Sequence, residues 1–257
     1  MSIAFLDTDF IRKTSEVYSN NISLLDKTLD LNHDFYISEK VLNELNNKYQ
    51  KIVLKLILDN KIKLFTLKDC VQLLYKEFES LSLNIILSDL ESIIDEMFGD
   101  TSMYDKYFKQ LEAFAIIGTS INVFSNRLNY AFNSVPDKSN IGEICTILMI
   151  KACIRCWNVQ VYSFLSDDND ARACASTVSE NIFSFSCHSL YLLLKKNGMV
   201  KSEAKEYIKS WKKIHGEQTV KIIISGNRSM GMNLNSFIDD IYISQYKVRR
   251  NGIPEKI

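Results

Sequence analysis

Four acidic residues far apart in a 257-residue chain have the type and context to do chemistry together: Asp7, Glu44, Glu143 and Asp168. Asp7 ends the apolar run Ile3-Ala4-Phe5-Leu6. Glu44 lies in a helical pattern that follows a second such run, Glu143 opens an apolar helical stretch, and Asp168 follows the run at 159–166. Three or four carboxylates in one crevice cannot all stay ionised without compensation. The usual compensation is a hard divalent cation, Mg²⁺ or Mn²⁺, bound through oxygen ligands and water. Such an ion can activate water and stabilise charge on a phosphate undergoing in-line displacement. Each acid also has a plainer reading. Asp7 or Asp9 could cap a helix starting near Phe10, Asn140 and Glu143 have capping-box spacing, and Asp170 could cap a helix over 171–180. Glu44 could sit on a solvated helix face.

Positioning these groups falls to short β-branched or aromatic runs at 3–7, 34–38, 62–67, 159–166 and 182–186, which read as strands. Helical patterns separate them. One is opened by Ser38, with Val41, Leu42, Leu45 and Tyr49 facing inward. Another, over 141–157, is apolar around most of its circumference, and a lysine-rich pattern runs over 202–215. Strands alternating with helices predict an α/β fold with a parallel sheet covered on both faces. In such a sheet the functional crevice lies at the carboxyl ends of the strands, where strand order reverses. Asp7 and Asp168 flank that point if the first and fourth strands are neighbours.

Residues 68–135 interrupt the alternation and read as an all-helical insertion, with a Ser88-x-x-Glu91 capping-box pattern and Gly118 as the strong breaker. Residues 221–257 open with a possible strand and are then expected to be polar and irregular. The division is therefore 1–67 with 136–220, an insertion at 68–135 and an extension at 221–257. Charge is uneven: residues 1–100 hold 11 Lys+Arg against 17 Asp+Glu, whereas residues 181–257 hold 13 against 6. An acidic front and a basic rear suit a protein that gathers carboxylates in one place and meets an anion with another. Only 2 Pro and 8 Gly are present, which disfavours turn-rich all-β architectures. No apolar run approaches the roughly 20 residues of a bilayer span. The N-terminus does not read as a signal peptide, and six scattered Cys read as reduced thiols in a cytoplasmic protein. Cys153-x-x-Cys156 lies within an apolar helix and reads as packing. Gly226–Gly231 lacks the Lys-Ser/Thr of a phosphate loop. Lys205, Lys209, Lys212 and Lys213 recur at helical spacing and could track a nucleic-acid backbone, or could simply be solvated.

The segments AFLDTDFI, FYISEKVLNEL, NIGEICTILMIKACIRCW and VYSFLSDDNDARACA resemble the acidic motifs of the PIN domain, a Mg²⁺/Mn²⁺-dependent nuclease fold. SFSCHSLYLLLKKNGMVKSEAKEYIKSW is similar to the closing strand and basic helix of prokaryotic PIN-like nucleases, VapC-type toxins among them. The resemblance covers about 1–67 and 136–215. It implies a parallel-sheet sandwich in which Asp7, Glu143 and Asp168 hold the metal and Glu44 completes the acidic set. Asp170 would bind through water or support the site, and Ser166 would orient a carboxylate by hydrogen bonding. Asp9 stands where many relatives carry Asn or Ser, and Asp167 makes the choice between it and Asp168 ambiguous. The implied activity is that of a divalent-metal-dependent endoribonuclease leaving 5′-phosphate and 3′-hydroxyl ends. It would act as a toxin or defence nuclease, with an antitoxin or another protein as partner and the insertion as a dimerisation or antitoxin-capture surface. A nuclease-dead binding or scaffold protein and a DNA nuclease are the alternatives.

Overall fold

The computed structural model describes residues 2–117, 119–136, 140–157, 162–224 and 228–257. In chain order its strands are β1 (Ser2–Leu6), β2 (Tyr18–Ser19), β3 (Ile22–Ser23), β4 (His33–Ser38), β5 (Lys63–Phe65) and β6 (Tyr162–Leu165). They continue with β7 (Ile182–Phe185), β8 (Thr219–Ile224), β9 (Arg228–Asn233), β10 (Tyr246–Val248) and β11 (Pro254–Lys256). Five of them form a wholly parallel sheet in the order β5-β4-β1-β6-β7. All five sequence-expected strands appear in it: the first is shifted by one residue, the second starts one residue earlier, and the other three are shorter; residues 159–161 of the fourth lie outside the described residues.

Side chains alternate across the sheet with the period of two that strands impose. Ile3 and Phe5 of β1 enter one apolar core, and Ala4 and Leu6 enter the other. The first core is closed by helices Leu67–Phe78, Leu81–Phe98, Ile121–Ser134 and Ile141–Cys156. The described residues of the 68–135 stretch are therefore mainly helical, as expected, and they supply much of the cover on one face of the sheet; Gly118 lies outside the described residues. Helices Thr8–Ser15, Asn47–Leu58, Leu190–Lys196 and Lys201–His215 cover the opposite face.

Four local expectations are corrected. Ser88 and Glu91 lie inside the continuous helix Leu81–Phe98, so they form no capping box; the box is at Thr66 and Asp69. The helix opened by Ser38 ends at Glu44 because Leu45 turns extended, and Asn46 caps a separate helix that carries Tyr49. The helix after β6 is capped by Asp168, with Asp170 in its first turn. The extension expected to be irregular instead folds. β8 to β11 form a second sheet in the order β10-β11-β8-β9, with helix Leu234–Ile241 packed through Leu234, Phe237, Ile238 and Ile241. That spacing is the inward stripe of an amphipathic helix, and Asn233 caps it by accepting from the Asn235 amide at 2.9 Å. Gly226 and Asn227 lie outside the described residues, and Arg228–Asn233 is strand. No helix among the described residues is long and apolar enough to cross a membrane.

Candidate active site

Strand order reverses between β1 and β6: the chain proceeds outward from β1 through β4 to β5 on one side, then from β6 to β7 on the other. The carboxyl ends of these two neighbours define the crevice of an open parallel sheet. Leu6 pairs with Leu165, so the next residues, Asp7 and Ser166, emerge side by side. The Asp7 amide donates to the Leu165 carbonyl at 3.0 Å, and the Ser166 hydroxyl donates to Asp7 Oδ2 at 2.8 Å. Asp7 precedes helix Thr8–Ser15 but makes no side-chain cap there. Its side chain is fully buried, and its Oδ1 accepts no hydrogen bond. Burial raises its pKa from 3.8 to about 7; Ser166 and the Thr8 amide pull it down, and repulsion from Glu44 and Asp9 pushes it up.

Glu143 stands in the first turn of helix Ile141–Cys156. Asn140 before it adopts a left-handed conformation and makes no side-chain cap, so the expected capping box is absent. Burial first, and then the negative charges of Asp7, Glu44 and Asp168, raise the Glu143 pKa from 4.5 to about 8. Glu44, at the end of helix Glu39–Glu44, is fastened between two elements. Its Oε2 accepts from the Thr8 hydroxyl at 3.0 Å and its Oε1 from the Gly142 amide at 2.9 Å. A Cβ on Gly142 would lie 2.5 Å from Glu44 Oε2 and would push this carboxylate out of its present position. Glu44 is thus tied to the N-terminus of the helix that carries Glu143.

The Asp167-Asp168 pair is divided by the turn after β6. Asp168 Oδ1 accepts from the Ala171 amide at 2.7 Å, its own amide donates to Ser166 Oγ at 3.1 Å, and it lines the same cleft as Glu44 and Glu143. Asp167 instead pairs with Lys13 and accepts from the Cys187 amide at 3.2 Å. Burial raises the Asp167 carboxyl, yet the Lys13 ammonium outweighs it and holds the pKa below its ordinary value. Asp167 and the exposed Asp170 line a second cleft, of about 470 Å³, with Arg172 and His188. Asp9 lines the acidic cleft and pairs with Arg12 at 3.0 Å and Lys13 at 3.9 Å.

The acidic cleft has a volume of about 690 Å³ and is walled on one side by Phe132, Asn133 and Val135, from the end of the helical insertion. Its described lining carries Asp9, Glu44, Glu143 and Asp168 against one cation, Lys40. A buried, unpartnered carboxylate oxygen among mutually repelling acids is the donor set that a hard divalent cation suits. Among the described residues, however, no three acidic, His or Cys side chains already form a closed metal cage. Lys205, Lys209, Lys212 and Lys213 do not line this cleft. Lys205 pairs with Asp239, Lys209 with Glu206, and Lys212 with Glu217, all on or beside helix Lys201–His215. Tyr207 and Trp211 of that helix are buried, as a packing face requires.

Sequence reasoning did not single out Thr8, Gly142 or Lys40. Thr8 and Gly142 each follow or precede an expected site acid by one position, which was a usable signal. Lys40 carries no sequence signal at all, because only the fold brings the insertion against it. Comparison of the chain with protein-family models, with curated proteins and with solved structures gives no match.

Proposed function

We propose that this chain is a divalent-cation-dependent ribonuclease with a PIN-like arrangement of its parallel sheet and acids. The observation that carries the reading is Asp7: a fully buried carboxylate at the sheet's switch point, with one oxygen unpartnered and with no ion pair to offset the repulsion of Glu44 and Asp9. Asp7, Glu143 and Asp168 would hold the ion. When bound, Mg²⁺ or Mn²⁺ supplies positive charge to a phosphodiester and makes a water molecule more acidic. Ser166 fixes the rotamer of Asp7 through its hydroxyl, so the free oxygen keeps one direction. Asp168 is held by the Ala171 amide through one oxygen, and its other oxygen accepts no hydrogen bond from the described residues. Glu44, clamped by Thr8 and Gly142, stands beside Glu143 and, after burial and Asp7, helps hold that carboxyl's proton affinity high. Such a group can take up a proton near neutral pH and release it on demand.

The test uses the purified full chain with mixed single-stranded RNA and DNA, in Mn²⁺, Mg²⁺ or chelator, beside Asp7→Asn. Metal-dependent RNA cutting that the substitution abolishes is the expected result. Binding without cutting under every condition contradicts the nuclease reading and favours a scaffold.

A further inference from the structure

Lys40 is 5% exposed, in the wall of an acidic cleft, yet no carboxylate among the described residues lies within ion-pair distance of its ammonium. Two amide oxygens from one helix of the insertion hold it: Nζ donates to Asn129 Oδ1 and to Asn133 Oδ1, each at 2.6 Å. Asn129 and Asn133 are one helical turn apart, so both oxygens reach the same point. The ammonium also sits 5.9 Å from the Phe132 ring centroid. Burying a cation carries a large desolvation cost, which neutral acceptors and the more distant charges of Glu39 and Glu44 offset only in part. A methionine of similar length would fill this wall without that cost. The charge is therefore poorly explained by packing. It is well explained by an anion that enters the cleft.

We propose that Lys40 is the substrate-phosphate subsite of this cleft, and that Asn129 and Asn133 aim it, so that the helical insertion sets where a single-stranded backbone lies relative to the acids. The inference rests on the nuclease reading and adds to it a residue and a role for the insertion. The acids alone repel a polyanion, and Lys40 is the one cation in the described lining. An ammonium directed by two fixed amides can meet a non-bridging phosphate oxygen as a charge-assisted donor. Asn rather than Asp at these positions fits the same logic: a carboxylate at 129 or 133 would neutralise Lys40 and close the subsite.

The test compares wild type, Lys40→Gln, Lys40→Arg and Asn133→Asp in two assays. The first is binding of a fluorescent single-stranded RNA in EDTA across a salt series, and the second is cleavage in Mn²⁺. Lys40→Gln is expected to lower kcat/KM by about 10- to 100-fold and to reduce the slope of log Kd against log salt by about 0.7, the loss of one phosphate contact. Lys40→Arg restores part of both. Asn133→Asp keeps or raises the melting temperature while lowering affinity, which separates loss of the subsite from loss of the fold. Unchanged affinity, salt slope and kcat/KM in Lys40→Gln, beside an active wild type, overturn the subsite alone. A wild type that cuts nothing overturns the nuclease reading, and the salt slopes then decide the subsite by themselves.

Discussion

Asp7 and Asp89 are both buried acids, 0% and 4% exposed, and the chain treats them in opposite ways. Asp89, on helix Leu81–Phe98, receives Lys151 at 2.8 Å and both Arg155 Nη2 at 2.7 Å and Nε at 3.1 Å. These partners come from helix Ile141–Cys156, so the cluster ties the insertion to the helix that carries Glu143. Asp7 has a serine hydroxyl on one oxygen, no hydrogen bond on the other, and acids nearby. A buried charge is tolerated when its own chain supplies the counter-charge, and its pKa rises when the chain does not. The difference separates an ionic brace from a group kept ready for something external.

The contrast can be broken at either end. Asp89→Ala leaves Lys151 and Arg155 without their carboxylate and is expected to cost about 3–5 kcal/mol of stability, read by urea unfolding. Asp7→Asn is expected to do the reverse. It removes the unpaired charge and stabilises the metal-free chain by about 1–3 kcal/mol at pH 8. The sign follows from linkage. The Asp7 pKa of about 7 lies above its ordinary 3.8, so the folded state holds a proton that the unfolded state has lost between those values. Glu143, at about 8 from 4.5, acts in the same direction. Stability of the metal-free wild type should therefore fall as pH rises from about 4 to 8, and the advantage of Asp7→Asn should vanish near pH 4. Thermal melts across that range check both statements.

Gly142→Ala sharpens the comparison without removing a charge. The new methyl must displace the exposed Glu44 carboxylate, at an expected cost below about 1 kcal/mol but with a fall in any metal-dependent activity, while Asp89 and its partners are untouched. The smallest effect is expected from Lys209→Ala and Lys212→Ala. Their ion pairs are exposed, and stability should change by less than about 0.5 kcal/mol.

The sheet and its acids were legible in the sequence because both obey local rules. Runs such as Ile3-Ala4-Phe5-Leu6 have the length and branching of buried strands, and a strand-end Asp is visible by position alone. The strand order then brings Asp7 and Ser166 together without further information. What the sequence hid depends on long-range packing. Ser88-x-x-Glu91 has the spacing of a capping box, but the apolar stripe of Leu83, Ile86, Leu87 and Leu90 carries the helix straight through it. The tail looked irregular because Gly, Asn and Ser dominate 226–235. The stripe of Leu234, Phe237, Ile238 and Ile241 was nevertheless present and outweighs that composition. Asp167 and Asp168 are indistinguishable by composition; only the approach of Lys13, 154 residues away, sorts them. The lysine-rich helix read as a nucleic-acid track or a solvated face, and Lys205, Lys209 and Lys212 are met by Asp239, Glu206 and Glu217.

Under this proposal Asp7, Glu143 and Asp168 form one pocket for a divalent cation. Its most direct test is Mn²⁺ uptake by the purified chain at pH 8, followed by the loss of the free-ion electron paramagnetic resonance signal, for wild type beside Asp7→Asn and Glu143→Gln. Saturable uptake by wild type that either substitution abolishes is the predicted result. Equal uptake by all three proteins, or none by wild type at millimolar Mn²⁺, would contradict it.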